Sequence, residues 1–333
     1  MTTTLCFVTR NLSVTSTDVK KVEIEFEKNN LEVILQESFT TFVAAGGTGE
    51  MYSLDREEYI AVVQSAVKVT EGRMPVIAGV GYGSRIAVSM ATEAAKAGAA
   101  ALLILPPYYP NPAFEGLAAY CKAIGNATNL PMLIYTRDWL NLSAEQAEKI
   151  AEKVPTLVGW KDGQGELRNF QRIRSRLGER FTWIGGVGDD HVSGYYGIGV
   201  RRYTSSISAV APKLSILLHE VAAARDEGTL AAVTDKHVLP LYNLRTRCKG
   251  YEVSAMNSPR LSSPAVLRVV PTTWGQASPR ASFPAVLRVV PSSGVRRAAP
   301  LPRNRNCKGA SSFPLDFLRK NCDKQSCPLW DSN

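Results

Sequence analysis

The chain has 333 residues, of which 45% are hydrophobic, and carries a formal net charge of +9. This hydrophobic content supports a sizeable core, while no apolar run reaches the roughly 18 residues that a membrane-spanning helix needs. The first residues have no basic segment before their short apolar stretch, so we do not expect a signal peptide. Six cysteines without regular spacing do not predict a disulfide framework, and a reducing, cytoplasmic setting fits best.

The positive charge belongs to the C-terminal part of the chain. Residues 256–333 hold 12 of the 39 Lys and Arg but only 3 of the 30 Asp and Glu, which leaves 27 of each kind in residues 1–255. The same segment holds 10 of the 19 prolines. This shift predicts a boundary near residue 256, and the electroneutral body before it gives no reason to expect a nucleic-acid partner.

Short apolar runs alternate with amphipathic segments from residue 4 to residue 247. The apolar runs predict eight strands, at 4–9, 39–45, 75–80, 100–105, 131–135, 157–161, 181–185 and 199–206. Helical spacing predicts helices at 19–35, 55–70, 86–97, 114–127, 143–153, 167–177, 189–196, 214–224 and 230–247. Ser84 is predicted to cap one of these helices, and the Ser-x-x-Gln sequence at Ser143 predicts a capping box for another.

Most of the predicted strands are apolar throughout, which is typical of strands covered on both faces in a parallel sheet. Strict alternation of strands and helices over about 210 residues indicates such a sheet, either doubly wound or closed. Eight units favour an α/β fold of the (β/α)8 TIM-barrel type, whose active site lies at the carboxyl ends of the strands. Functional-looking residues fall at those ends: Thr48, Tyr108, Tyr135 and Lys161.

Lys161 ends the sixth predicted strand and is followed by Asp162 and Gly163. A lysine at the end of a buried strand is costly to keep charged, so its pKa falls. The neutral amine is a nucleophile that can form a Schiff base with a ketone. The short motif alone is more often a surface lysine at a strand end than a catalytic one. Its place in the mouth of a predicted barrel favours the catalytic interpretation.

Four segments, in this order along the chain, resemble those of one family. Their sequences are AAGGTGE at 44–50, IYTRD at 134–138, GWKDG at 159–163 and KGYEVS at 249–254. Together they resemble the dihydrodipicolinate synthase/N-acetylneuraminate lyase superfamily and, within it, most of all the 5-dehydro-4-deoxyglucarate dehydratase branch. The resemblance is dense from residue 42 to residue 256, weak before that range and absent after it.

The resemblance implies a lyase that needs neither cofactor nor metal. Lys161 would form the Schiff base, and the protonated imine would stabilise a neighbouring carbanion. Tyr135 would lie over the imine and relay protons. A glycine-rich loop would hold a substrate carboxylate with backbone N–H groups and a hydroxyl: Gly46, Gly47, Thr48 and Gly49. The alternative for Tyr135 is a core aromatic side chain at a strand end, which we consider less favoured, whereas from the residues alone the loop could equally be a tight turn.

Two departures from the synthase branch favour the dehydratase branch. Gly47 stands where the synthase branch has the threonine of its tyrosine-centred relay, and Leu140 stands where synthases carry a carboxylate-binding arginine. Arg137 lies where the dehydratase branch has its arginine, whereas Tyr109 resembles the second tyrosine of the synthase. A six-carbon diacid needs a second anchor, and we expect Ser206 with Arg137 to provide it.

The tail at 256–333 has a different character from the rest of the chain. Residues 258–271 recur at 278–291, with 12 of 14 positions identical. Two copies are too few for a stacked repeat fold, and prolines every few residues forbid helix and central strand. We expect a disordered basic tail without a selected function, although its charge could draw it to anionic surfaces. The expected division is a barrel at 1–225, a remnant of a C-terminal helical region at 226–255, and the tail.

The resemblance therefore predicts dehydration and decarboxylation of 5-dehydro-4-deoxy-D-glucarate to 2,5-dioxopentanoate. The expected binding partner is this keto-diacid, and neither a nucleic acid nor a membrane is expected.

None of the three histidines has ligand spacing with another or with cysteine, so no metal site is predicted. The family forms homo-oligomers, but the helices that normally follow residue 253 are replaced here, which leaves the oligomer open. Two alternatives stay open as well: another 2-keto-acid aldolase or synthase of the same superfamily, and a non-catalytic, degraded barrel.

Overall fold

The structure is a computed structural model that describes residues 5, 6, 32, 34–209 and 211–246. The predicted helix at 19–35 lies mostly outside these residues, and the motif at 249–254 and the tail at 256–333 lie wholly outside them. Within the described ranges there are eight strands: β1 Leu5–Cys6, β2 Phe42–Ala44, β3 Val76–Tyr82, β4 Ala101–Pro107, β5 Met132–Thr136, β6 Leu157–Asp162, β7 Thr182–Gly185 and β8 Thr204–Ser205.

Helices connect these strands, with short 3-10 turns at several helix ends. Among the described helices, none has both the length and the apolar composition needed to cross a membrane. The α-helices are α1 Arg56–Thr70, α2 Ser84–Lys96, α3 Phe114–Thr128, α4 Ala144–Lys153, α5 Leu167–Leu177, α6 Val192–Gly197, α7 Pro212–Ala224, α8 Glu227–Val233 and α9 Leu239–Arg245.

All recorded strand pairs are parallel, and the main sheet has the order β2-β3-β4-β5-β6-β7. A parallel bridge between Gly185 and Tyr203 connects the end of β7 to the segment that leads into β8. Strand β8 pairs in parallel with β1, where Leu5 lies opposite Thr204. This curled parallel sheet fits the predicted TIM barrel, in which the carboxyl ends of all strands meet at one mouth.

The core confirms that the strands are covered on both faces. The central residues of β3 and β4 are buried without alternation, as expected for strands between an interior and a layer of helices. Glycine is required at Gly79 in β3, because a Cβ there would overlap the carbonyl oxygen of Ala45. This close approach places the loop after β2 directly against the neighbouring strand.

The two serines predicted to cap helices differ in outcome. The capping box at Ser143 is confirmed: its hydroxyl accepts the N–H of Gln146 at 3.3 Å, and the Gln146 side chain accepts the N–H of Ser143 at 3.0 Å. The predicted cap at Ser84 is wrong, because Ser84 is already the first residue of α2. The N-cap is Gly83, which has no side chain to accept a hydrogen bond.

The last strand is shorter than predicted. The prediction covered 199–206, whereas only Thr204–Ser205 pairs as β8. The N–H groups of Ser206 and Ile207 donate to the carboxylate of Asp189, at 3.0 and 3.2 Å, instead of to a neighbouring strand. A side chain from elsewhere in the fold thus ends the ladder.

The last predicted helix, at 230–247, is longer at its start and interrupted in its middle. It begins at Glu227 because the carboxylate of Asp226 accepts the N–H of Thr229 at 3.0 Å and caps the helix. The π-helical segment Thr234–Val238 then separates α8 from α9. From α9, Tyr242 reaches Asp189, a residue after β7.

Candidate active site

A cleft lies at the carboxyl ends of the strands, with ≈ 420 Å³ of space that is partly open to solvent. Six of the eight site residues predicted from the sequence line it: Gly47, Thr48, Tyr135, Arg137, Lys161 and Ser206. Gly46 and Gly49 are buried in the same loop but do not line the cleft. The described residues contain no group of three or more His, Cys, Asp or Glu that could hold a metal ion.

Lys161 is the centre of this cleft. It is only 5% exposed, and its Nζ lies 3.6 Å from the centre of the Tyr135 ring. Register explains the contact, because Lys161 on β6 lies directly opposite Tyr135 on β5. Burial, followed by repulsion from Arg137 and Arg245, lowers the pKa of the Lys161 amine well below its ordinary value of 10.5. The fold therefore favours the neutral, nucleophilic form of this lysine.

Space for the lysine stem is provided by Gly186, which follows β7. A Cβ at this position would lie 2.6 Å from Cγ and 2.8 Å from Cε of Lys161. The neighbouring Gly185 faces away from the lysine, because a Cβ there would overlap the ring of Tyr195. Any side chain at position 186 would thus displace the lysine, which makes this glycine part of the site.

Tyr135 covers the lysine and is held in place by its own hydroxyl. The hydroxyl donates a hydrogen bond to the carbonyl oxygen of Gly186 at 3.2 Å. Burial raises the pKa of the Tyr135 phenol, although the charge of Arg137 opposes this shift. The phenol stays protonated at neutral pH and can donate a proton next to Lys161. Its role as a proton relay remains a prediction.

The loop after β2 is a tight turn, and only part of it reaches the cleft. The N–H of Glu50 donates to the carbonyl of Gly47 at 3.2 Å. A Cβ on Gly49 would lie 3.0 Å from the backbone nitrogen of Gly46, so these two glycines shape the turn itself. A Cβ on Gly47 would lie 3.0 Å from Nη1 of Arg137, so glycine there makes room for the arginine.

Arg137 follows β5 and Ser206 follows β8, so in the order of the strands they lie on opposite sides of Lys161, which is on β6. Arg137 is half-exposed and its Nε is 2.7 Å from a carboxylate oxygen of Asp138. The hydroxyl of Ser206 accepts a hydrogen bond from Nη1 of Arg245 at 2.8 Å. The two predicted anchor residues therefore line the same cleft. Within the described part of the chain, no hydrogen bond joins them.

Asp162, directly after Lys161, holds the end of β6 in place. Its carboxylate accepts the hydroxyl of Tyr195 at 2.8 Å and the N–H groups of Gln164 and Gly165 at 3.1 and 3.2 Å. Burial raises the pKa of the Asp162 carboxyl, and these hydrogen bonds oppose that shift. We did not predict this role from the sequence, although an acid beside the lysine was a visible signal.

Sequence reasoning also missed Arg245, which α9 brings to the cleft. Three residues earlier on the same helix, Tyr242 accepts the N–H of Asp189 at 2.7 Å and donates to its carboxylate at 3.2 Å. The Asp189 carboxylate is buried, and burial raises its pKa. The only sequence signal was a tyrosine and an arginine spaced to share one helix face.

The fold and the site together define a barrel protein with a buried lysine at the end of its sixth strand and a tyrosine over that lysine. Residues 8–256 match the model of the dihydrodipicolinate synthetase family. The chain belongs to this family.

Similar proteins fall in two groups. The 5-dehydro-4-deoxyglucarate dehydratase of Pseudomonas putida is 34% identical over 230 residues, which cover 68% of this chain and 76% of that protein. A protein of Ectopseudomonas mendocina named "Probable 5-dehydro-4-deoxyglucarate dehydratase" is 37% identical, again over 68% of this chain and 76% of its own length. These relatives agree with the branch indicated by the sequence motifs.

The second group consists of solved structures with the same fold. Dihydrodipicolinate synthase from Oceanobacillus iheyensis matches with a TM-score of 0.69 and 24% identity, covering 78% of this chain and 87% of that one. The chloride-inhibited synthase from Acinetobacter baumannii, solved in complex with pyruvate, matches with a TM-score of 0.68 and 26% identity over 83% and 95%. The likeness agrees with the TIM-barrel architecture.

Proposed function

We propose that this chain is a cofactor-independent Schiff-base lyase that converts 5-dehydro-4-deoxy-D-glucarate to 2,5-dioxopentanoate, carbon dioxide and water. One observation carries the proposal: Lys161 is buried, its pKa is lowered, and its Nζ lies 3.6 Å from the centre of the Tyr135 ring. A ketone bound beside this amine would be converted to an imine. The dehydratase relatives supply the substrate class.

The reaction follows from the electron-withdrawing character of the imine. The amine of Lys161 attacks the substrate ketone, and water leaves as the imine forms. The protonated imine acidifies the neighbouring CH₂, so that a proton is lost and the adjacent hydroxyl leaves as water. Further electron flow towards the imine releases the carboxylate farthest from the ketone as carbon dioxide. Protonation of the resulting dienamine at carbon restores the imine and leaves an enol, which tautomerises to the aldehyde of the product. Hydrolysis of the imine consumes one water and returns the free lysine.

Each predicted residue has a place in this scheme. Tyr135 donates and accepts protons at the imine, and its raised pKa keeps the phenol protonated between these steps. Gly47 and Thr48 hold the carboxylate beside the ketone, while Gly46 and Gly49 shape the loop that carries them. Arg137 and Ser206 lie on either side of Lys161, where the remainder of a six-carbon substrate would extend.

The test is reductive trapping on the full chain. Borohydride with pyruvate should add a stable adduct to Lys161 in the wild type, located by peptide mass spectrometry. Lys161→Arg should give no adduct, since a guanidinium stays protonated and forms no imine. If the wild type gives no adduct, or if the arginine variant is trapped equally well, the Schiff-base mechanism is wrong and the non-catalytic barrel becomes the better account.

A second reaction of the same site has one supporting observation. The solved synthases share the fold, and the Acinetobacter baumannii synthase was solved with pyruvate. A 2-keto-acid aldolase or synthase would consume an aldehyde together with its keto acid, whereas the proposed dehydratase needs no second substrate. Product analysis with and without an aldehyde separates the two reactions.

For the chain as a whole, the inferred organisation is a closed (β/α)8 barrel at 1–225, followed by a remnant of a C-terminal helical region that begins at residue 226; the segment at 256–333 lies outside the described residues. The setting we infer is the cytoplasm, because the cysteine pattern fits a reducing compartment. A homo-oligomer follows from the family but depends on the region after residue 253. Size-exclusion chromatography with light scattering would measure it.

A further inference from the structure

We propose that Arg245 determines substrate specificity by binding the second carboxylate of the substrate, the one remote from the ketone. This inference rests on the proposed Schiff-base function, and it adds a residue from α9 that the predicted site did not include. Arg245 lines the cleft, and its charge is one of the causes that lower the pKa of Lys161. The guanidinium therefore acts electrostatically on the reacting amine from within the same cleft.

The position of Arg245 is built into the fold. Tyr242, one helical turn earlier, is fastened to Asp189 by two hydrogen bonds of 2.7 and 3.2 Å. Gly188 permits this approach, because a Cβ there would overlap the Tyr242 hydroxyl. Since residues three apart share a helix face, fixing Tyr242 also fixes Arg245 over the cleft. The arginine is therefore preorganised and does not rely on a flexible loop.

The charge of Arg245 is directed to the cleft. Its recorded hydrogen bond goes to the neutral hydroxyl of Ser206, at 2.8 Å, whereas Arg137 has a carboxylate partner in Asp138 at 2.7 Å. A guanidinium has five N–H donors in a planar fork that matches a carboxylate, so the contact with Ser206 leaves donors for a ligand. Among the described residues that line the cleft, two are arginines, Arg137 and Arg245, and none is acidic. Such a cleft suits a dianion.

The two anchors come from different elements of the fold and line the same cleft as Lys161. The loop with Gly47 and Thr48 follows β2 and contacts Arg137 on the β5 side, whereas Arg245 contacts Ser206 directly after β8. A keto-diacid whose ketone meets Lys161 can therefore place one carboxylate in the loop and the other on Arg245. A keto acid with a single carboxylate would occupy only the first anchor.

In the proposed reaction, the contact between Arg245 and the remote carboxylate exists only before decarboxylation. The product retains the carboxylate beside its ketone, so the remote carboxylate is the group lost as carbon dioxide. Arg245 thus recognises a group that is present in the substrate and absent from the product. Its contribution should therefore appear in substrate binding, and the contact should no longer hold the product after decarboxylation.

A comparison of two keto acids tests this assignment on the full chain. Borohydride trapping would be titrated with pyruvate, which has one carboxylate, and with 2-oxoadipate, a six-carbon keto-diacid. The ratio of their half-saturating concentrations is independent of the fraction of neutral Lys161, since both acids react with the same amine. Wild type should favour 2-oxoadipate, and Arg245→Gln should reduce that preference about 10- to 100-fold, as expected for one charge-assisted contact.

Two further variants make the result specific. Arg172→Gln removes an exposed charge from α5 and should leave the ratio unchanged. Arg245→Lys should restore only part of the preference, because an ammonium lacks the planar fork. Pyruvate trapping by Arg245→Gln shows that the site is still folded. An unchanged ratio in Arg245→Gln, or no preference in a wild type that traps pyruvate, overturns the assignment, whereas absence of any wild-type adduct overturns the proposed function and this inference together.

Discussion

At the scale of single residues, Lys161 is held where its charge is poorly solvated. Its folded-state pKa lies well below 10.5, mainly because of burial. Between the folded and unfolded pKa values, the unfolded chain binds more protons than the folded chain does. The free energy of unfolding of the wild type should therefore rise as the pH rises through this window.

Replacing the lysine by an apolar residue should stabilise the protein, whereas most mutations destabilise it. Lys161→Met should raise the free energy of unfolding at neutral pH, since no ammonium has to be buried or deprotonated, and should abolish trapping. Chemical denaturation of both proteins at several pH values measures this difference. The difference in the free energy of unfolding between the two proteins should become smaller as the pH increases. If this difference were the same at every pH, the pKa of Lys161 would not be lowered in the folded protein.

A missing side chain is as important as the lysine itself. Gly186→Ala should displace the lysine stem, because the new Cβ would lie 2.6 Å from Cγ of Lys161 and 2.5 Å from the carbonyl oxygen of Asp162. Misplacement of a reacting group by about 1 Å can cost about a hundredfold in rate, so the rate of pyruvate trapping should fall by about that factor.

The matched control is Gly116, an exposed glycine in α3 whose added Cβ would meet nothing within 4 Å. Gly116→Ala should leave trapping unchanged and raise the free energy of unfolding by about 0.5–1 kcal/mol, because alanine loses less backbone entropy in a helix. Equal trapping rates in the two alanine variants would show that Gly186 does not position the lysine.

At the scale of secondary structure, the helix starts test how far local sequence determines local structure. Ser143→Ala should lower the free energy of unfolding by about 1 kcal/mol, since it leaves the N–H of Gln146 without its cap. Ser84→Ala should change it little, because Gly83 is the N-cap of α2. Both residues are exposed serines at helix starts, and thermal melts of the two variants make the comparison.

Neither substitution should alter trapping, since both serines lie outside the cleft. If the two variants lost the same stability, the loss would come from replacing any serine at a helix start. The hydrogen bond in the capping box would then not be its cause.

At the scale of the whole molecule, the barrel and the C-terminal helices meet at a buried carboxylate. Tyr242→Phe would remove two hydrogen bonds to Asp189, whose other carboxylate oxygen is buried and has no hydrogen-bond partner among the described residues. The free energy of unfolding should fall by about 1–3 kcal/mol, the cost of leaving a buried polar group unsatisfied.

The same variant should weaken the preference for 2-oxoadipate, because α9 would no longer hold Arg245 over the cleft. Tyr109→Phe is the control, since that side chain is 75% exposed and should give a wild-type melt. A Tyr242→Phe protein with unchanged stability and unchanged preference would show that the contact with Asp189 is not what positions α9.

Much of this architecture could be predicted from local pattern. Apolar runs predicted the order and type of the eight strands, and helix α5 has the predicted bounds of 167–177. Lys161, Tyr135 and the glycine loop were placed at strand ends because the carboxyl ends of parallel strands meet at one mouth. The predicted ends of strands were less accurate. Strand β8, for example, ends early because the N–H groups after it donate to Asp189, which lies in a different part of the chain.

The sequence by itself predicted the barrel and singled out Lys161, since periodicity and motif order are properties of neighbouring residues. Only the tertiary structure decided which groups surround that lysine. The space beside Gly186, the clamp between Tyr242 and Asp189, and the approach of Arg245 to Ser206 each join residues that are far apart in the chain. Such contacts depend on how elements pack, and no local pattern in the sequence records them.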